Sequence, residues 1–68
     1  MLRVERERKN RGFNKSELAR RAGIQLNTVS WIESGRFKPY PSQLIKLASA
    51  LEYQGEPGGL LDEVGGQS

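Results

Sequence analysis

Sixty-eight residues allow one small domain and too little buried surface for a second core or an enclosed catalytic cleft. With no cysteine and no histidine, the chain has no disulfide framework, no thiolate metal site and no copy of the commonest general base. The net charge of +3 is uneven: residues 1 to 51 hold all eleven Lys and Arg against four acids, a net +7, and Glu52, Glu56, Asp62 and Glu63 make the rest −4, as suits either a polyanion-binding body or an ordinary solvated surface.

The first helix is expected from Leu2 to Arg11, with Gly12 as its stop. Leu2 and Val4 are its only large apolar residues, so its buried face is the thinnest of the set. Asn14, followed three residues later by Glu17, is a capping-box start for a second helix over Lys15 to Ala22, with Leu18, Ala19 and Ala22 on one face. Gly23 then supplies the backbone freedom for a sharp left-handed turn. A third helix begins near Gln25 or Leu26 and ends at Gly35. Within it Val29 and Ile32 share a buried face, while Leu26, Asn27, Ser30 and Trp31 point elsewhere.

Arg36 to Tyr40 reads as a basic, aromatic loop, and Pro41 stands at a first helical position. Leu44, Leu47, Ala48 and Leu51 give the fourth helix a regular apolar stripe. From Tyr53 the glycines and Pro57 predict a linker, with at most one or two helical turns in the apolar-acidic piece Leu60 to Val64. Nothing reads as a strand. The N-terminus is charged and no apolar run approaches the length of a membrane span, so a cytoplasmic protein without a membrane partner is expected.

Leu18-Ala19, Gly23, Ile24, Thr28-Val29, Ile32-Glu33 and Gly35, at this spacing, resemble the core of the lambdoid repressor and Cro family, the XRE-type helix-turn-helix. The resemblance covers about residues 2 to 51. It implies an all-α, compact four- to five-helix repressor-like DNA-binding domain over residues 1–52, followed by a tail over residues 53–68. It also implies a sequence-specific regulator of bacterial or phage origin, a repressor binding double-stranded DNA as a homodimer on a pseudo-palindromic operator, with no metal and no cofactor. A helix fits the major groove only if the turn before it is tight and the helix behind braces it. Gly23 makes the turn, Ala19 allows close approach, and Leu18, Ala22, Ile24, Val29 and Ile32 hold the pair against Leu44, Leu47 and Leu51.

By the same resemblance Gln25, Leu26, Asn27 and Trp31 occupy the face that meets base edges, while Lys15, Arg36, Lys38 and Arg11 suit phosphates. Asn27 can read adenine in bidentate fashion, Gln25 can do so or serve as the N-cap, and Leu26 suits a thymine methyl. Trp31 departs from the family pattern, in which a polar or cationic residue is common at that place. Its alternatives are a thymine methyl and the sugar-phosphate wall, Phe37 or Tyr40 beside the groove, a protein partner, or the edge of the core. Glu7 and Lys9 depart as well, standing near places where a larger apolar side chain is expected. Arg8 and Glu33 match positions where the family pairs an arginine of the first helix with a glutamate near the end of the recognition helix; without the resemblance Arg8 is one more solvated cation.

The dimer contact is expected at Leu51, Leu60, Leu61 and Val64, because the last three have no other evident core in so glycine-rich a segment. The alternative function is an antitoxin or other protein-interaction module on the same fold, with a toxin or another protein meeting Trp31, Phe37 and the apolar tail residues. An enzyme is disfavoured, since the eight acids are scattered and Gly58-Gly59 lacks the Lys and Ser/Thr of a phosphate loop.

Overall fold

The computed structural model of the protein describes residues 1–65, and among these it has four helices and one 3₁₀ turn. Helix α1, Arg3–Asn10, leaves an extended Leu2 and buries only Val4 and Arg8. Helix α2, Lys15–Ala22, is started by Asn14, whose Oδ1 accepts the Glu17 N–H at 2.7 Å and so satisfies one of the donors a helix start leaves open. It closes at Gly23 with φ +70°, a left-handed conformation that costs a side-chain-bearing residue energy and glycine almost none. Only Ile24 and Gln25 then separate it from α3, Leu26–Ser34.

Helix α4, Pro41–Leu51, places its proline where a helix needs no N–H donor, and the side chain of Gln43 accepts the backbone N–H of Tyr40 at 2.9 Å. Helix α2 packs on both α3 and α4, and α1 packs on α4. Val4, Leu18, Val29, Ile32, Leu47, Leu51 and Leu60 are essentially closed to solvent, with Ala19, Ala22 and Ala48 completing the core. Each large side chain buried in this way contributes about 1.5 to 3 kcal/mol. The small Ala19 and Ala22 lie on the same face of α2 as Leu18, which lets the neighbouring backbones come close. The fold is all-α, compact and without a named strand among the described residues.

The tail corrects two expectations. Its regular piece is a 3₁₀ turn over Pro57–Leu61, earlier than the expected Leu60 to Val64, because Pro57 can open a helical turn and Asp62 is already extended. The turn packs on α1 and α4 and inserts Leu60 into the chain's own core, where it is 0% exposed. The following residues run antiparallel to the chain start: Arg3 N–H donates to Asp62 C=O at 2.8 Å and Val64 N–H to Met1 C=O at 2.9 Å. Residues 53–64 are thus no free linker. Leu51, also 0% exposed, and Leu60 are packed inside the chain's own core, so the dimer contact expected of either would require that core to open. Leu61 and Val64 remain partly exposed.

Candidate nucleic-acid interface

The helix that would enter a groove is fixed from behind by a buried charge pair. Arg8 Nε donates to Glu33 Oε2 at 2.8 Å and Arg8 Nη2 to Glu33 Oε1 at 3.0 Å, a two-pronged contact that a planar guanidinium makes with one carboxylate. Arg8 Nη1 also donates to the Phe13 carbonyl at 2.9 Å, so one side chain joins α1, the approach to α2 and the end of α3. The Arg8 and Glu33 side chains are only 9% and 2% exposed. Removal of such a partner would strand a charge away from water, which is why the pair fixes α3 even if its net contribution to stability is small.

On the opposite side α3 is open. Val29, Ile32 and Glu33 turn inward, whereas Asn27 and Ser34 are exposed and Leu26 and Trp31 are each 46% exposed. Gln25 is exposed at the N-cap and makes no capping bond with its side chain. The four residues expected to meet base edges therefore share the solvent side of the start and middle of one short helix. Phe37 and Tyr40 pack edge to face with each other, 5.8 Å between centroids and 89° between planes. With Pro39 buried between them in sequence, that pair anchors the loop carrying Lys38.

The cations divide into paired and unpaired sets. Lys15, Arg36 and Lys38 are exposed, and among the described residues none lies within 4.0 Å of a carboxylate oxygen. Arg20 and Arg21 both engage Glu17, and their hydrogen bonds hold its carboxyl below the ordinary glutamate range. The Glu17 carboxylate in turn raises the guanidinium of Arg20. Arg21 also lies over the Phe13 ring at 4.5 Å from its centroid. Arg11 reaches Glu52 at 3.5 Å, beside the end of α4, and is not part of the unpaired set.

Tyr40, in the aromatic loop, is 64% exposed, and one exposed apolar side chain escaped the sequence reading, Ile45 at 59%. Ile45 stands next to the apolar stripe of α4, and only its offset from Leu44 and Leu47 signals that it faces out. No group of three or more His, Cys, Asp or Glu among the described residues could hold a metal ion, and no helix is long and apolar enough to cross a membrane. The model of the helix-turn-helix family matches residues 4–56, most of the chain. No curated protein and no solved structure matches it significantly.

Proposed function

The chain belongs to the XRE-type helix-turn-helix family of DNA-binding transcription regulators, and from that premise we propose that it is a sequence-specific repressor that binds a pseudo-palindromic operator as a homodimer. The observation that carries this reading is the construction of α3: locked at its back by the Arg8–Glu33 pair, it exposes Gln25, Leu26, Asn27 and Trp31 on its outer side. Lys15 at the start of α2, and Arg36 and Lys38 after α3, supply the phosphate contacts that set the register of the helix on the duplex. Arg11, shared with Glu52, contributes less.

A single recognition helix touches few base pairs, and two copies about one DNA turn apart, roughly 34 Å, double the contact without a larger fold. The dimer surface is assigned to the partly exposed Leu61 and Val64. Selection from a random pool of duplexes, followed by footprinting and mass determination of the complex, tests this reading. Two half-sites one turn apart carrying two chains are expected, with lowered expression of a reporter placed behind the selected site. One chain on one unrepeated site would contradict the dimer, and unchanged reporter expression would contradict repression.

A further inference from the structure

Helix α3 exposes no cation at all. Its residues are LNTVSWIES, and its one charged side chain, Glu33, is turned inward onto Arg8. What it presents to solvent is chiefly two large apolar groups, Leu26 and Trp31, with the amide of Asn27 between them in sequence. Asn27 and Trp31, four residues apart, stack on one face, and Leu26 stands at the leading end of the helix.

The major groove offers few complements to such a surface. Guanine is read chiefly by Arg or Lys at its O6 and N7, adenine by Asn or Gln at N6 and N7, and thymine by its C5 methyl. The other recognition groups on the base edges are hydrogen-bond donors or acceptors, and covering one with a leucine or an indole ring removes its water without replacing the bond. The pyrimidine methyl is the largest apolar group that projects into the groove. Lys15, Arg36 and Lys38 lie outside α3, so the cations that could read guanine are not on the helix that carries Leu26 and Trp31.

Resting on the DNA-binding reading above, we propose that α3 specifies an A·T-rich half-site. Leu26 and Trp31 read pyrimidine C5 methyl groups, Asn27 reads adenine, and no guanine is bound by this helix. The dependence is on the methyl itself and not on thymine as a base. 5-Methylcytosine places the same group in the same groove, so methylation of a cytosine at a contacted position strengthens binding there.

The probe is the duplex most enriched from a random-sequence pool, with each thymine replaced in turn by uracil, which differs only in lacking the methyl. At one or two positions per half-site affinity is expected to fall about four-fold per methyl, the factor for one buried methyl-sized group. Cytosine placed at the same position should bind more weakly than 5-methylcytosine by a similar factor. Leu26→Ala should abolish the thymine–uracil difference at one position and Trp31→Ala at another, and Trp31→Phe serves if the alanine variant does not fold. Uracil tolerated at every position, a required guanine opposite α3, or a uracil penalty that persists in the variants would each overturn the inference while leaving DNA binding intact. Enrichment of no duplex would overturn the DNA-binding reading and this inference with it.

Discussion

Arg8 and Glu33 show how much one pair of side chains is asked to do in so small a core. Twenty-five residues apart in sequence, they meet with two hydrogen bonds behind α3, and a third bond from Arg8 fixes the chain at Phe13. Glu33→Ala leaves the guanidinium buried without its carboxylate and is expected to cost about 3 to 5 kcal/mol, whereas a surface pair would cost under about 1. Thermal or urea melting of the variant measures the difference directly. Asn27 is the opposite kind of residue, exposed and without a structural partner in the described contacts. Asn27→Ala should leave melting unchanged and relax preference at one base pair by about 1 to 3 kcal/mol, as read by competition between duplexes that differ at that pair. Uniform weakening on all duplexes would instead mark Asn27 as a backbone contact.

Among the elements, the α2–turn–α3 unit was written plainly in the sequence, because its signals are local. Asn14 and Glu17 mark the start, Gly23 the turn, and Leu18, Val29 and Ile32 the shared buried face. A Cβ at Gly23 would meet nothing within 4 Å, so Gly23→Ala carries only the backbone penalty, about 1 to 2 kcal/mol, without a clash. A loss well above that on melting would mean the turn itself has rearranged. The 3₁₀ turn was not legible, since it has no period and its partners lie at the other end of the chain. The thin apolar face of α1 was the one available hint: Leu2 and Val4 alone cannot seal that side, and Leu60 completes it. Leu60→Ala is expected to destabilise the monomer by about 2 to 5 kcal/mol, a cavity cost that requires no subunit contact. A melting curve unchanged by Leu60→Ala would return that residue to the surface. By the same reasoning, a chain cut after Gln54 loses part of its own core, so its weakened DNA binding would not report on dimerisation. Substitution of Leu61 or Val64 is the cleaner probe of the dimer.

For the whole molecule the sequence displayed the charge but not its distribution in space. Eleven cations suggest a broad polyanion surface, yet Arg8 is buried, Lys9 pairs with Glu5, Arg20 and Arg21 share Glu17, and Arg11 meets Glu52. Pairing thus leaves Arg3, Arg6, Lys15, Arg36, Lys38 and Lys46 outside the ion pairs of the described residues, and of these Lys15, Arg36 and Lys38, on the segments before and after α3, are the ones assigned to phosphates. Those three per subunit, on two subunits, would neutralise six phosphates and release their condensed counterions. The most direct measurement is the affinity for the selected duplex as a function of salt, with wild type and Lys38→Ala side by side. Log affinity should fall linearly with log salt at a slope of about −5, and Lys38→Ala should flatten it by about 2 while weakening all duplexes alike. A flat salt dependence, or no duplex binding in dilute buffer, would contradict the assignment of this chain's exposed α3 and its flanking cations to DNA.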